Sequence, residues 1–465
     1  MAIAERRAPS ATAILEPADG APRANGMPTG EHLFVVGAGY VGLVTSVGMA
    51  RLGHRVTLAD VNPRKIAALR EGRVPIYEPG LADALAEVGE RITFTTDSVP
   101  PAGVRYSFLA VGTPLSASGQ MDLGNVKHCV RDLLAAKGPD HVIVVRSTLT
   151  PEAPEALQRL RTDVEGGPAL VTNPEFLREG SALDDFARPD RIVTGWLSER
   201  DKAAAESVLD LYAGIDAPTF VADARSVALV KIASNVYLAM KIAYANELAR
   251  LCEAFGANAS VVADGMGLDA RIGRAFLDAG PGIGGSCLPE QAVALAGITQ
   301  EAGVAAPLIR SVAVSNDVHQ AEIARRLEEL LPGGLRGARV ALLGLAFKAN
   351  TDDVRQSPAL AIAAHLRKSG ATVVGTDPQA TTTAKRTDAQ LEVAASVLDA
   401  VADADAILVA TEWAEYRSLD WKQIAAAMRG SVVFDTRAVV DALAVVDAGL
   451  QLERLGRPHR ADAKA

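Results

Sequence analysis

The sequence is poor in several features, and each shortage excludes a class of protein. Its 465 residues include only three cysteines, Cys129, Cys252 and Cys287, whose spacing fits neither a disulfide framework nor a zinc site. We therefore expect reduced thiols and no metal. No stretch approaches the roughly 18 consecutive apolar residues that a membrane-spanning helix needs. A net charge of −9 leaves no basic excess, which argues against non-specific nucleic-acid binding.

Regular patterning is also missing near the two ends. Residues 1–30 are rich in Ala, Pro and Gly, and Arg6 and Arg7 are followed by no continuous apolar segment, which argues against a secretory signal. We expect a flexible leader over residues 1–30 and a loose polar tail over residues 457–465. Together these absences predict a cytoplasmic protein that binds neither a membrane nor nucleic acid.

Between the ends, short apolar runs alternate with helical patterns, which is typical of a parallel sheet with crossover helices. Strands of a first sheet are predicted at residues 33–37, 55–60, 91–95, 106–111, 142–146, 170–172 and 191–195. Strands of a second sheet are predicted at residues 338–345, 372–377, 406–411 and 431–435.

Residues 224–255 differ, because they contain neither Pro nor Gly and place apolar residues at spacings of three and four. A single helix of that length would run about 45 Å. It could connect two lobes and supply a face for dimerisation, or it could simply be buried in the middle of the chain. We therefore predict an α/β fold of two Rossmann-like, doubly wound lobes joined by a long central helix.

A glycine-rich turn follows the first strand. In residues 37–42, Gly37 would allow the tight turn, Gly39 the close approach of a pyrophosphate, and Gly42 the packing of helix on strand. Asp60 ends the next strand, eighteen residues after Gly42, where a carboxylate would bind a ribose diol and repel a 2′-phosphate. This pattern favours NAD over NADP, with FAD as the competing dinucleotide.

The second lobe lacks this fingerprint, since its first strand is followed by Gly344 alone. Lys348 and Arg355 come after the strand end, where open α/β sheets bind ligands. Two cations there would suit a phosphorylated ligand, or they would pair with Asp352 and Asp353 at the surface.

Three further patterns carry nucleophilic and polar side chains. Cys287 is preceded by a cluster of glycines, and we interpret it as a nucleophile with nearby backbone N–H donors, whereas Cys129 and Cys252 are interpreted as buried thiols. Lys231 and Asn235 are four residues apart on the long helix and could stabilise an oxyanion. The polar loop at residues 173–179 contains two carboxylates that could order a water.

Together these residues resemble the UDP-glucose/GDP-mannose dehydrogenase family. The resemblance runs from about residue 33 to residue 437 and rests on a series of motifs in order. They are residues 37–42, 75–81, 111–114, 147–148, 173–180, 189–193, 271–273, 284–289, 344–358, 411–413 and 435–437, with Lys231, Asn235 and Asn246-Glu247.

The resemblance implies oxidation of a nucleotide sugar, UDP-glucose to UDP-glucuronate, by two hydride transfers to NAD through a thiohemiacetal and a thioester on Cys287. Lys231 and Asn235 would stabilise the charged oxygen, and Thr148 and Glu175 would hold the water. The implied cofactor-binding residues are Gly37, Gly39, Tyr40, Val41, Gly42, Asp60, Lys65, Thr113, Thr148, Glu179 and Arg355. The implied substrate-binding residues are Glu175, Phe176, Leu177, Arg178, Glu179, Lys231, Asn235, Arg271, Gly284, Lys348 and Arg437.

The resemblance also implies domains and assembly. Residues 31–222 would bind NAD, residues 223–330 would form a central helical dimerisation domain, and residues 331–456 would bind the UDP-sugar. Arg271 would reach the substrate across a contact within a homodimer or a higher homo-oligomer.

The chain departs from the family pattern directly after the cysteine. Gln291 stands where the family has an aspartate that assists proton transfer, and Glu290 replaces a lysine. Losing a general base costs about 10²–10⁴-fold in rate unless another carboxylate substitutes, and Glu290 is the candidate. Elsewhere, Ala228 replaces an acidic residue, and Glu152 follows Pro151 in place of a glycine.

Three alternatives to a UDP-glucose 6-dehydrogenase activity therefore stay open. The first two are a nucleotide-sugar-binding homologue with impaired turnover and a dehydrogenase for another UDP-hexose. The third is a two-electron dehydrogenase of the 3-hydroxyacid or 6-phosphogluconate type, against which the glycine-flanked Cys287 and the second lobe argue.

Overall fold

The computed structural model describes residues 30–116, 119–161 and 166–458. The predicted leader, except Gly30, and the predicted tail from residue 459 onward lie outside the described residues. Contacts divide the chain into two compact units. Unit 1 comprises Met1–Ser116 with Met121–Ile232, and unit 2 comprises Ala117–Gln120 with Ala233–Ala465.

Unit 1 is built on an eight-stranded sheet with helices between the strands. The strands are β1 (His32–Val36), β2 (Arg55–Ala59), β3 (Ile92–Thr95), β4 (Tyr106–Leu109), β5 (Val142–Val145), β6 (Ala169–Thr172), β7 (Ile192–Trp196) and β8 (Thr219–Asp223). The helices are α1 (Tyr40–Arg51), α2 (Pro63–Arg70), α3 (Leu81–Glu87), α4 (Gly124–Ala136), α5 (Ala153–Arg161), α6 (Ala182–Ala187) and α7 (Lys202–Asp210).

The strand order in unit 1 is β3-β2-β1-β4-β5-β6-β7-β8. Only the β6–β7 pair of this sheet is antiparallel, with Val171 opposite Trp196. The order reverses between β1 and β4, which pair in parallel from Leu33 with Tyr106. Ligands of open α/β sheets bind in the crevice at such a reversal, outside the carboxyl ends of the strands. The glycine-rich turn after β1 therefore lies where the fold favours a ligand.

The next helix along the chain is α8 (Ala224–Ala254), whose residues up to Ile232 belong to unit 1 and whose remaining residues belong to unit 2. The helices continue with α9 (Ala259–Gly267), α10 (Cys287–Glu301), α11 (Pro307–Leu330), α12 (Pro358–Lys368), α13 (Thr381–Thr387), α14 (Val397–Val401), α15 (Trp421–Ala427) and α16 (Ala442–Asp447). The predicted long central helix is confirmed by α8. By length and composition α8 could cross a membrane, since its most apolar 18-residue segment has a mean hydropathy of 1.3. The core helix of a soluble protein can be equally long and apolar, and 44% of this segment is buried.

Unit 2 contains a second, six-stranded sheet in which the strand pairs are parallel. Its strands are β9 (Arg339–Leu343), β10 (Thr372–Thr376), β11 (Glu392–Val393), β12 (Ala406–Val409), β13 (Val432–Asp435) and β14 (Gln451–Arg454). The order β11-β10-β9-β12-β13-β14 reverses between β9 and β12. Two Rossmann-like lobes and a long helix thus confirm the predicted fold class.

Each sheet carries its own apolar core. The central strands of both sheets are buried apart from end residues such as His32 and Arg339, and residues such as Leu33, Phe108, Leu342 and Leu408 have no exposed surface. Burial on both faces is typical of parallel sheets, and it produces the continuous apolar runs from which the strands were predicted.

Three strands were not predicted, and all three lie at sheet edges: β8, β11 and β14. Strand β14 shows the reason most clearly, because its sequence is polar and its buried position is occupied by Glu453, which is only 5% exposed. Glu453 is paired with Arg326 of α11. A buried ion pair replaces the apolar residue that sequence periodicity would have detected.

Candidate active-site residues

The glycine-rich turn between β1 and α1 requires its glycines in two places. Gly37 has φ +102°, and a Cβ there would lie 2.5 Å from the carbonyl oxygen of Ala110. A Cβ on Gly42 would lie 1.8 Å from the carbonyl oxygen of Gly37. At Gly39, in contrast, a Cβ would meet nothing within 4 Å. The open side of Gly39 fits the close approach of a dinucleotide, as the sequence pattern predicts.

Asp60 follows β2 and is held by its neighbours. Its Oδ2 accepts hydrogen bonds from Ala38 N at 2.9 Å and from Lys65 Nζ at 2.8 Å, and its Oδ1 accepts one from Asn62 N at 2.9 Å. Burial acts to raise the pKa of Asp60, but the hydrogen bonds from Lys65, Asn62 and Ala38 outweigh it and hold this pKa below its usual value. An ionised carboxylate at this strand end fits the recognition of a ribose diol.

Ser147 connects the two loops that carry Thr113 and Thr148. Its Oγ donates to the carbonyl oxygen of Val111 at 2.6 Å, which ties the end of β5 to the loop after β4. Thr148 is half-buried directly beside it.

Glu78 joins the start of α1 to the end of the loop at residues 173–180. It is 6% exposed and accepts hydrogen bonds from the hydroxyl of Tyr40, from Gly180 N at 2.6 Å and from Ala182 N at 2.8 Å. Burial and the hydrogen bond to Glu78 raise the pKa of Tyr40, so its hydroxyl stays protonated and acts as a donor.

The other end of this loop is held by a buried arginine. Arg146 donates to Thr45 Oγ1 at 2.8 Å, to Asn173 Oδ1 at 2.6 Å and to the hydroxyl of Tyr212 at 2.9 Å. Asn173 is 1% exposed and donates to the carbonyl oxygen of Val193 at 2.8 Å. The loop therefore leaves β6 in a defined direction.

Lys231 and Glu175 form a buried ion pair within unit 1. Lys231 Nζ donates to the carbonyl oxygen of Glu175 at 2.5 Å and to its Oε1 at 3.1 Å, and the two side chains are 4% and 9% exposed. Glu175 Oε2 also accepts a hydrogen bond from Leu177 N at 2.5 Å. The ammonium of Lys231 is thus positioned by the loop at residues 173–180.

The neighbouring side chains of this loop have structural contacts of their own. The ring of Phe176 lies near two cations, with Arg191 Cζ 3.9 Å and Lys231 Nζ 5.1 Å from its centroid. Arg178 is paired with Asp185 at 2.5 Å, and its side chain is 66% exposed.

Cys287 is the first residue of α10 and is exposed. Its Sγ lies 3.8 Å from Ser286 Oγ. A helix N-terminus favours negative charge, because backbone N–H groups point outward from the first turn, and the thiolate is the nucleophilic form of cysteine. This setting fits a nucleophile and was not evident from the glycines alone.

The glycines before Cys287 have a second use that the sequence did not reveal. A Cβ on Gly284 would lie 2.6 Å from Pro358 Cδ, and one on Gly285 would lie 2.8 Å from the ring of Phe347. Gly285 N donates to the carbonyl oxygen of Arg355 at 3.1 Å. The loop is therefore packed onto residues 347–358, and its amides are partly used in doing so.

Gln291 and Glu290, the two unusual residues of α10, have different environments. Gln291 is 5% exposed, and its Oε1 accepts a hydrogen bond of 3.0 Å from Asn235 Nδ2. Glu290 is half-buried; burial raises its pKa, Arg355 opposes this and Asp353 adds to it. Gln291 thus contacts the predicted oxyanion residue Asn235, whereas Glu290 lies in the field of Arg355 and Asp353.

The predicted cations of the second lobe are engaged with nearby groups. Arg355 pairs with Asp353 at 2.5 Å and is 59% exposed, so the surface ion pair considered as an alternative is present. Lys348 Nζ lies 5.6 Å from the ring centroid of Phe347. Arg437 donates from Nη2 to the carbonyl oxygen of Phe347 at 3.0 Å and pairs with Glu412 at 3.0 Å. Their roles in binding ligand stay predictions.

Asp377 has the same place in the second lobe as Asp60 has in the first, but its hydrogen bonds differ. It follows β10 as Asp60 follows β2, but its Oδ2 accepts from Leu345 N, Ala346 N and Trp413 Nε1. Its Oδ1 accepts from Gln379 N and Ala380 N, both at 2.8 Å. Five hydrogen bonds leave this carboxylate little capacity for a ribose.

The remaining predicted residues lie as follows. Arg271 is 89% exposed and forms an ion pair with Asp269 at 2.6 Å. Cys252 is buried as predicted, and Cys129 is only partly buried. Within the described residues, no group of three His, Cys, Asp or Glu side chains could hold a metal ion.

Comparison with known proteins covers most of the chain. Residues 31–216 match the NAD binding domain, residues 225–318 the central domain, and residues 341–442 the UDP binding domain of one family. The chain belongs to the UDP-glucose/GDP-mannose dehydrogenase family. It is accordingly an NAD-dependent dehydrogenase, and the glycine turn with Asp60 in unit 1 fits that cofactor.

Members of this family that resemble the chain cover it almost completely. The UDP-glucose 6-dehydrogenase of Rhizobium meliloti (strain 1021) is 39% identical over 433 residues, which are 91% of this chain and 99% of that protein. The UDP-glucose 6-dehydrogenase TuaD of Bacillus subtilis (strain 168) is 38% identical over 437 residues, 92% of this chain and 94% of that protein.

Solved structures show the same similarity. A UDP-glucose dehydrogenase from Pyrobaculum islandicum has a TM-score of 0.80 at 39% identity, covering 90% of this chain and 96% of that one. A UDP-D-ManNAc dehydrogenase from Pyrococcus horikoshii has a TM-score of 0.79 at 26% identity, covering 92% of this chain and 99% of that one.

Several residues that hold the loop at residues 173–180 and the loop before Cys287 were given no role by the sequence patterns. Glu78 lies in a recognised motif, at residues 75–81, but its burial and its three donors appear only in the fold. Arg146, Asn316 and His319 belong to none of the patterns singled out in the sequence, and their partners lie far away along the chain, so spacing could not reveal them.

Proposed function

We propose that the protein oxidises UDP-glucose to UDP-glucuronate in two NAD-dependent steps through a covalent bond to Cys287. The observation that carries this proposal is the exposed thiol at the N-terminus of α10, within the segment that matches the family's central domain. Relatives at 39% and 38% identity named UDP-glucose 6-dehydrogenase support the choice of substrate.

The proposed reaction oxidises C6 of the sugar twice, and each oxidation removes one hydride and one proton. NAD, when bound, accepts one hydride in each oxidation. In the first oxidation the alcohol loses a hydride and a proton and becomes an aldehyde. The Cys287 sulfur adds to the carbonyl carbon and forms a thiohemiacetal. Loss of a second hydride and a proton gives a thioester, which water hydrolyses to the carboxylate, restoring the thiol.

Lys231 and Asn235 are the proposed stabilisers of negative charge on the reacting oxygen. The ammonium of Lys231 is held by Glu175, and the amide of Asn235 by Gln291. Preorganised donors of this kind stabilise charge as it develops, because they need not reorient during the reaction. Glu175 and Thr148 are proposed to hold the hydrolytic water.

Cofactor and substrate contacts are proposed for the residues that the family resemblance assigns. The proposed NAD site comprises Gly37, Gly39, Tyr40, Val41, Gly42, Asp60, Lys65, Thr113, Thr148, Glu179 and Arg355. The proposed substrate contacts are made by Glu175, Phe176, Leu177, Arg178, Glu179, Lys231, Asn235, Arg271, Gly284, Lys348 and Arg437.

Glu290 is the proposed proton acceptor in place of the aspartate that Gln291 replaces. It lies three residues after Cys287 in the first turn of α10, and residues at this spacing share a helix face. A carboxylate with a raised pKa is better matched to proton transfer near neutral pH than a carboxylate with an ordinary pKa.

A homologue that binds UDP-sugars without turnover is the second candidate function, and the amide at position 291 favours it.

Self-association is proposed to occur through α8. Tyr237, Tyr244 and Leu251 are spaced seven residues apart and are 58%, 52% and 55% exposed, and Phe255, directly after the end of α8, is 83% exposed. A spacing of seven drifts only about 20° around a helix, so these side chains form one apolar stripe. Such a stripe fits a homodimer, in which Arg271 would reach the partner's substrate.

The thiols and the NAD chemistry fit a cytoplasmic location.

The test is the amount of NADH formed from each nucleotide sugar. Purified protein with NAD and limiting UDP-glucose should yield two NADH per sugar and UDP-glucuronate. Cys287→Ser should lose acid production and serves as the control. If only another UDP-hexose were oxidised, that sugar would be the substrate in place of UDP-glucose. Tight UDP-glucose binding without NADH formation would favour the binding homologue.

A further inference from the structure

The loop that precedes Cys287 contains little secondary structure of its own. Gly282 has φ +139° and Gly285 has φ +81°, conformations that other residues rarely adopt. Glycine backbones lose the most freedom on folding, so a loop of this kind needs external contacts to hold one shape.

Gly280 is held at both of its backbone groups. Its N–H donates to Oδ1 of Asn246 on α8 at 2.9 Å, and its carbonyl oxygen contacts Nε2 of His319 on α11 at 2.7 Å. Asn246 and His319 are each 1% exposed, so both contacts are shielded from water.

Ile283 is held in the same way by a single side chain. Its N–H donates to Oδ1 of Asn316 at 2.7 Å, and its carbonyl oxygen accepts from Nδ2 of the same amide at 3.3 Å. A Cβ on Gly282 would lie 2.8 Å from Asn316 Oδ1 and 2.9 Å from Gln320 Nε2. The glycine therefore makes room for the polar face of α11.

The protonation of His319 follows from its partners. Arg250 Nη1 lies 2.7 Å from Nδ1, and since a guanidinium can only donate, Nδ1 must be the acceptor. The proton is then on Nε2, which donates to Gly280 in a neutral ring. The charged groups that act on this imidazole are Arg250 and Glu247 of α8 and Glu322 of α11.

We propose that His319 and Asn316 are positioning residues for the Cys287 thiol, acting through the backbone of Gly280 and Ile283. The inference rests on the proposed covalent role of Cys287. A loosened loop lets the first turn of α10 fray, which removes the N-terminal field from the sulfur and misplaces it for attack on the aldehyde. Misplacement by about 1 Å can cost 10²-fold in rate.

The test compares His319→Leu and Asn316→Ala with His319→Gln, whose amide can accept from Arg250 and donate to Gly280. Asp317→Asn, at an exposed position between them on α11, is the control. We expect the Leu and Ala variants to lower kcat at least about tenfold with a small change in KM, and to release aldehyde that a hydrazine traps. His319→Gln and Asp317→Asn should have the kcat and KM of the parent protein.

A second readout needs no substrate. The pH at which iodoacetamide alkylates Cys287 at half its maximal rate, followed by peptide mass spectrometry, should rise in the Leu and Ala variants and stay unchanged in the Gln variant. Folded Leu and Ala variants with parental kcat and alkylation would overturn the inference, as would a Gln variant as impaired as the Leu variant. A parent that alkylates normally but makes no NADH would instead contradict the proposed function.

Discussion

Asn235 on α8 donates a hydrogen bond of 3.0 Å to Gln291 on α10, and both side chains are more than nine-tenths buried. The amide oxygen of Gln291 thus occupies a position from which a carboxylate could accept the same bond. What the amide cannot do is take up a proton at neutral pH. The contact therefore orients the amide of Asn235, and Gln291 itself can supply no general base.

Gln291→Asp should therefore raise turnover. A carboxylate can accept both the hydrogen bond from Asn235 and a proton, whereas an amide can accept only the hydrogen bond. We expect kcat for UDP-glucose oxidation to increase by about tenfold or more. Gln291→Asn, which shortens the side chain without adding a base, is the matched control. Equal rates for the two variants across pH 6–9 would show that a base at position 291 is not limiting.

Glu290→Gln should lower turnover if Glu290 is the substituting base. We expect a loss of about 10²-fold or more in kcat. Because burial raises the pKa of Glu290, the acid-side decline of kcat in the parent should lie at higher pH than for an ordinary glutamate, and it should disappear in the variant. Glu301→Gln, at the other end of the same helix, controls for the lost charge. Persistence of the decline in Glu290→Gln would assign it to another group.

Asp60→Asn should weaken NAD selectivity. The carboxylate is ionised and lies at the end of β2, and hydrogen bonds to charged groups contribute about 1.5–3 kcal/mol, or roughly 10- to 100-fold in KM for NAD. With less negative charge beside Lys65, the ratio of NADP to NAD activity should rise. Asp377→Asn, at the corresponding strand end of the second lobe, should lower stability and leave this ratio unchanged.

His319→Gln should make the protein less sensitive to acid. Burial is the main cause that lowers the pKa of His319 from 6.5 to about 4. The neutral ring of the folded state therefore contributes its full stability above about pH 6.5, and this contribution is lost as the pH falls towards 4. The difference corresponds to about 3 kcal/mol. Urea unfolding at several pH values should show a smaller loss in the variant. His141, with a pKa also lowered to about 4 in unit 1, remains in both proteins, so it does not affect the comparison.

Tyr244→Lys should weaken self-association. It places a charge in the middle of the exposed stripe formed by Tyr237, Tyr244, Leu251 and Phe255. We expect light scattering to give the mass of a dimer for the parent and a monomer for the variant at low micromolar concentration. Leu443→Lys, which changes a residue 75% exposed on α16, should leave the mass unchanged. A dimeric Tyr244→Lys protein would exclude this stripe as the contact.

The amino-acid sequence by itself determined the fold class and the NAD cofactor, and it singled out the glycine turn and Cys287 as candidate site residues. Each of these depends on local patterns: apolar runs that end in glycine turns, Asp60 after a strand, and Cys287 after a glycine cluster. Local chemistry also indicated that the second lobe lacks a dinucleotide fingerprint. The edge strands β8, β11 and β14 escaped prediction, and in β14 an ion pair between Glu453 and Arg326 replaces the expected apolar contact.

Only the tertiary structure decided which polar groups meet. Gln291 and Asn235 are 56 residues apart in the chain, and Glu78 and Gly180 are 102 apart, so no spacing rule could join them. The same holds for His319 and Gly280, whose contact depends on α11 packing beside the glycine loop. Buried polar groups must be satisfied by whatever partner the packing brings near, and that choice is made by the whole fold.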